Sequence, residues 1–192
     1  MKKLLLALSL GMASTFAQAD WTLNADQSSL NFVSVKKNDI AEVSEFKSLA
    51  GLLKEDGSVA LNVSLASVST NIPIRDERMQ KLLFEVQKHA LANITAKIDM
   101  AKVTAMKAGD LSQESVEVKL ALHGKEKAYN AAITVAKLSD EKVLVTLSKP
   151  IVVQASDFDL SAGVEALREV AKLPMISQAV PITASLVFVA AK

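Results

Sequence analysis

In "IPIRDERMQ" (72–80), Arg75, Asp76 and Arg78 stand beside an apolar run, and they are the residues best suited to recognition. An arginine near the rim of a cavity can grip a diphosphate or a quinone-type oxygen through several donors at once. Arg75 and Asp76 have a plainer alternative, which is to pair with neighbouring strands and fix the local structure. Imidazole chemistry would rest on His89 and His123, the second in an "HG" turn where exposure is ordinary. The chain has no cysteine, and the two histidines are isolated and lack an H-E-x-x-H spacing, which makes a poor metal site. No G-x-S-x-G or other nucleophile motif is present. A Ser-His-Asp set needs only to meet in space, so a hydrolase is kept as an alternative. No catalytic residue, metal or cofactor is expected, and the protein is read as not an enzyme.

The elements that must position these groups are mostly strands. In "SVALNVSLAS" (58–67) Val59, Leu61, Val63 and Leu65 alternate with Ser58, Asn62 and Ser64. "ESVEVKLALH" (114–123) does the same with Val116, Val118, Leu120 and Leu122 against Ser115, Glu117 and Lys119. "YNAAITVA" (129–136) and "VPITASLVF" (180–188) follow suit, so each strand has one dry and one wet face. From Ile94 through Ile98 and Met100 the apolar residues are even-numbered, and at Val103 and Ala105 they are odd, which reads as a bulge or bend. Turn signals at "EDGS" (55–58), "AGD" (108–110), "HGK" (123–125) and "SDEK" (139–142) mark hairpins. The count is eight or nine strands. The fold class is all-β: a closed antiparallel barrel is favoured over a two-layer sandwich because closure removes exposed edges.

Two stretches break the alternation. Residues 74–87 read as a helix with Pro73 in its first turn and Ile74, Met79, Leu82, Leu83 and Val86 on one face. Residues 161–174 read as a second, with Ser161 as cap and Pro174 past its end.

The first 19 residues, "MKKLLLALSLGMASTFAQA", have the charged start, short apolar run and Ala-x-Ala ending of a cleaved secretory signal. The apolar run falls short of the roughly 20 residues that span a bilayer. The mature chain is then residues 20–192, a single domain exported to a bacterial periplasm. Its 20 lysines and arginines against 21 acidic residues leave a net charge of −1. That balance gives no footprint for nucleic acid or an anionic membrane, and no stable membrane insertion is expected. Without disulfides, core packing alone must hold the fold.

The stretch "LASVSTNIPIRDERMQKLLFEVQK" (65–88) resembles the signature of the YceI family of lipocalin-like barrels, carried by Ser67, Thr70, Arg75, Asp76, Phe84, Glu85, Val86 and Lys88. "WTLNADQSSLNF", "FKSLAGLL", "LALHGKEK" and "SDF" add to the likeness, which covers nearly all of residues 21–190. The departures are Glu77-Arg78-Met79 where the family often has x-H-L, His89-Ala90 for its tyrosine-proline, and Ala155-Ser156-Asp157-Phe158-Asp159 for R-S-D-F-G. The chain is therefore a divergent member. The resemblance implies a barrel of about eight strands that binds or transports a lipophilic small molecule, most often a polyisoprenoid such as a quinone-like or prenyl lipid.

The residues themselves agree. A barrel of about eight strands can hold one small ligand, and only seven aromatic residues follow residue 19 to fill it. The residues expected at the ligand are Phe32, Leu61, Val63, Arg75, Arg78, Leu83, Phe84, Ile98, Met100, Val118, Leu120, Ala131, Ile133, Phe158, Ile182 and Leu186. A barrel with a filled core and a structural or interaction role is one alternative, and an outer-membrane barrel is another; the shortage of aromatic girdles opposes the second.

Overall fold

The alternating segments pair as their faces require. The structure, a computed structural model, describes residues 20–191, and the expected leader lies outside them. The described residues hold twelve strand segments: β1 (Trp21–Leu23), β2 (Ser29–Lys36), β3 (Ile40–Phe46), β4 (Leu49–Leu53), β5 (Ser58–Ser64), β6 (Val68–Ser69), β7 (Leu91–Lys97), β8 (Leu111–Leu122), β9 (Lys125–Ser139), β10 (Lys142–Leu147), β11 (Ile151–Gln154) and β12 (Ala179–Ala190). Three helices accompany them: α1 (Pro73–Arg78), α2 (Met100–Ala105) and α3 (Ser161–Val170).

Several segments are halves of one bent strand. β1 and β2 both pair with β12, and on their other side they pair with β4 and β3. β10 and β11 likewise share β12 as neighbour, and β5 and β6 meet β4 and β3 in turn. Joined in this way, the segments form eight strands, each antiparallel to the next in sequence. The ring shuts where β12 pairs back to the first strand, Trp21 opposite Ala190 and Phe32 opposite Ile182. The result is the closed eight-stranded barrel expected from the alternation, and three of the four expected turns (55–58, 123–125 and 139–142) join hairpins, whereas the fourth, 108–110, follows α2 at the start of β8.

One end of the barrel is packed solid. Trp21, Leu53, Val103, Val135, Val143 and Phe188 are all buried there in one cluster, with α2 contributing Met100 and Val103. The ammonium of the buried Lys137 lies 5.1 Å from the Trp21 ring centroid and donates to the Asp140 carbonyl at 3.3 Å. The cation–π contact and that hydrogen bond let an ammonium sit beside this core. At the other end lie α1 and α3.

Helix details differ from expectation in four ways. The even-to-odd slip near residue 100 is a third helix, because β7 stops at Lys97 and the Asp99 carboxylate caps α2 by accepting from the N–H of Ala101 and Lys102. The helix expected over 74–87 is α1 followed by a π-turn, Met79–Leu83, in which Phe84 N–H donates to Met79 O at 2.9 Å. It ends at Glu85, which takes a left-handed φ of +47°. The wide turn adds a residue and slips the register. Met79, Leu83 and Phe84 therefore face inward, while Leu82, expected on the apolar face, is exposed. Finally, α3 is shorter than expected: Leu160 occupies its capping position, and Ser161 instead donates its hydroxyl to Gln178 Oε1 at 3.1 Å.

Candidate functional site

Under α1 and α3 the barrel is hollow. A cavity of about 470 Å³ opens between the helices, and a deeper chamber of about 130 Å³ continues it toward the packed end. Leu30, Ile94, Leu120, Val153 and Ile182 line both, so they form one passage with a waist. The floor is Leu53, Ile98, Val116 and Phe188. At the mouth α3 contributes Val164, Leu167 and Val170, while the α1 segment contributes Ile72, Ile74, Arg75, Arg78, Met79 and Leu83. The two helical segments meet closely at Gly163, where a Cβ would come within 2.7 Å of the Leu82 carbonyl oxygen.

Most expected site residues face this space. Phe32, Val63, Arg75, Arg78, Leu83 and Phe84 line the upper part, and Leu61, Ile98, Val118, Ile133 and Leu186 the lower. Leu120 and Ile182 belong to the waist. Three do not line it. Met100 is drawn into α2 and buried at the packed end, Ala131 is covered on β9, and Phe158 packs in a separate cluster with Val153, Ala155, Leu160 and Val164. All three are buried apolar residues, but none lines the passage.

The rim is polar and mostly committed. Arg75 pairs with the Glu42 carboxylate through Nη1 and donates through Nη2 to the Thr70 carbonyl at 2.9 Å. Lys36 donates to the same Glu42 oxygen at 2.7 Å. That hydrogen bond, outweighing burial and reinforced by Arg75, holds the Glu42 carboxyl below its ordinary range. Asp76 accepts from both the N–H and the hydroxyl of Thr70, closing the loop that enters α1. Asp76 thus has the plain structural role. Among the described residues Arg75 is largely tied, with a buried Nε that has no partner, whereas Arg78 makes no ion pair. Sequence reasoning missed Lys36 and Glu42. Lys36 was findable, since Leu30, Phe32, Ser34 and Lys36 share one face of β2 and run from apolar to charged; Glu42 carries no such signal.

In the deep chamber Tyr129 is the notable polar group, its buried hydroxyl unpartnered among the described residues. Burial, helped by the Asp157 charge, pushes its pKa up. The histidines are neither isolated nor simply exposed: their ring centroids lie 4.3 Å apart, and His123 Nε2 is 3.2 Å from the Glu85 carboxylate.

The sequence model of the YceI-like domain matches residues 21–188. Among solved structures, a polyisoprenoid binding domain from Saccharophagus degradans is 34% identical, with a TM-score of 0.88 over 91% of this chain and 99% of that one. BcnA of Burkholderia cenocepacia superposes with a TM-score of 0.66 at 18% identity, over 86% of this chain and 98% of the other. A Campylobacter jejuni YceI protein gives 0.55 at 19% identity, over 78% and 84%. No curated protein matches the chain significantly. With the family match running from the first strand almost to the end of the last, the chain belongs to the YceI-like domain family.

Proposed function

We propose that the protein binds, and carries without chemical change, one long lipophilic molecule of the isoprenoid class, tail in the deep chamber and polar head at the rim. The observation that carries this is the continuous apolar passage of two joined chambers, of a size typical of small-molecule sites. A filled core would leave no such space. Among the described residues lining the passage there is no carboxylate, imidazole or thiol, which supports binding rather than catalysis. The likeness to a domain described as polyisoprenoid binding, at 34% identity, supports the ligand class. Glu117 and Lys119 are exposed on the outer wall, which a lipid-facing band excludes. No helix of the described residues is long and apolar enough to cross a membrane. Together with the expected leader this suits a periplasmic carrier, whose intact mass would show a start at Asp20.

Each buried CH₂ contributes about 0.8 kcal/mol, so a tail of many carbons would nominally exceed the ceiling near 20 kcal/mol that real complexes reach. Ordering the tail offsets much of that. Affinity should therefore rise with prenyl length and level off once the deep chamber is full, while Arg78→Gln alters head-group preference by a few-fold and leaves tail preference unchanged. The test is a chain-length series of prenyl alcohols, diphosphates and quinones against delipidated protein, with mass analysis of lipids extracted from the native protein. Failure of every length to bind, with no lipophile recovered, would refute the reading.

A further inference from the structure

Glu85, His89 and His123 form a cluster that the cavity does not use. Glu85 and His89 are four residues apart, and His89 N–H donates to Glu85 O at 3.0 Å, so one turn of chain puts their side chains together. His123 reaches them from the hairpin between β8 and β9. Their nearest donor atoms all lie within 4.8 Å of one another, and all three side chains are half-buried. We propose that these residues form a binding site for a divalent cation of the zinc class, which braces the mouth of the barrel.

The hydrogen bonding of His123 is that of a metal ligand. Its Nδ1 is 3.2 Å from the Phe158 carbonyl oxygen, which can only accept, so Nδ1 carries a hydrogen and, in the neutral ring, Nε2 is left as a lone pair. That lone pair faces Glu85 Oε2 at 3.2 Å, another acceptor. Two acceptors at such a distance need a cation between them, either a proton or a metal. The adjoining His89 ring, which has no side-chain hydrogen bond among the described residues, offers a further nitrogen to a metal and nothing to a proton already shared by its neighbours. An imidazole held by a backbone carbonyl through its far nitrogen is the usual outer shell of a histidine ligand.

Distances and donor types point the same way. Zinc bonds of about 2.0–2.1 Å in a tetrahedron set ligand atoms about 3.3 Å apart, and the Glu85–His123 edge is already 3.2 Å. The His89 ligand nitrogen lies within 4.8 Å of both other ligand atoms, so a bound cation would draw it inward. Two imidazoles and one carboxylate suit zinc and its neighbours rather than calcium or magnesium, which want oxygen.

Bracing follows from where the ligands sit. Glu85 directly follows Phe84, and His123 follows Leu122, both of which line the cavity. Through Phe158 the cluster also holds the 3₁₀ turn Ala155–Phe158 that precedes α3. A cation there would tie the π-turn segment, the β8–β9 hairpin and the approach to α3 into one unit.

The test uses untagged mature protein titrated with Zn²⁺ against a chromophoric chelator, with thermal melts in parallel. One zinc per chain is expected, weakened tenfold or more in both His89→Gln and His123→Gln, with a higher Tm at saturating zinc in the parent protein alone. Ca²⁺ and Mg²⁺ should shift nothing. Loss of the Phe158 bond could unfold His123→Gln; His89→Gln, which breaks no described side-chain hydrogen bond, then decides. Absence of saturable zinc binding, or zinc binding that survives His89→Gln unchanged, overturns the site; zinc that leaves amide exchange of residues 84–89, 122–125 and 155–158 no slower overturns the bracing role.

Discussion

The two ends of this barrel are built from the same alternating strands and come out opposite. At the packed end, Trp21, Leu53, Phe188 and the α2 side chains fill the bore completely. At the open end the strands bring Phe32 and Phe46 among aliphatic residues, and the space is roofed by α1 and α3 without being filled by them. Alternation sets which way a side chain points, whereas the helix at each end decides whether the interior is solid or hollow. A short helix that inserts two apolar residues makes a plug; two helices braced against each other at Gly163 make a roof.

The largest effect expected of a single change is at the floor. Phe188→Ala should cost about 3–5 kcal/mol in urea unfolding and, in whatever protein stays folded, lengthen the longest prenyl tail accepted. Next comes a matched pair that separates solid from hollow. Ala131→Phe, outside the passage and almost fully buried, should cost about 1–3 kcal/mol by overpacking. Ala184→Phe, which faces the deep chamber, should change stability by no more than about 1 kcal/mol and shorten the accepted tail. Equal costs for the two would mean that the chamber is not open space.

Gly163→Ala tests the roof. Its Cβ would meet Leu82 O at 2.7 Å and Leu83 Cα at 2.8 Å, so the helices must part. The expected loss is about 1–2 kcal/mol, with faster ligand release in stopped-flow measurements. A smaller effect concerns the rim. The Glu42 carboxyl is held below its ordinary value near 4.5, so its stabilisation is complete above that pH and disappears as pH falls through the lowered value. Glu42→Gln should therefore lose less stability than the parent between neutral pH and acid, seen in melts across that range. The smallest is Tyr129→Phe: removing an unpartnered hydroxyl in the tail's chamber leaves stability within about 0.5 kcal/mol and, with the head held at the rim, leaves the preference between quinones and hydrocarbons of equal length unchanged.

Most of the barrel was readable because a period of two is a property of each strand alone. Val59 through Leu65 and Val116 through Leu122 point inward as their alternation demands. What could not be read depends on neighbours in space. Met100 follows a strand but belongs to a helix because Asp99 caps it. Leu82 faces out because one wide turn shifts everything after it. Ala131 shares a face with cavity residues, yet its depth against the opposite strands decides that it lines nothing. The histidines are 34 positions apart in sequence, and only the mouth geometry joins them.

The pairing of β12 has a consequence in time. That one strand is the neighbour of β1 and β2 on one side and of β10 and β11 on the other. Until it is in place, four segments have a bare edge, and no local hairpin can supply the missing partner. Closure therefore joins the first strand to the last across almost the whole chain, a loop closure of the slowest kind. The pairing of Trp21 with Ala190 cannot form until synthesis has reached residue 190.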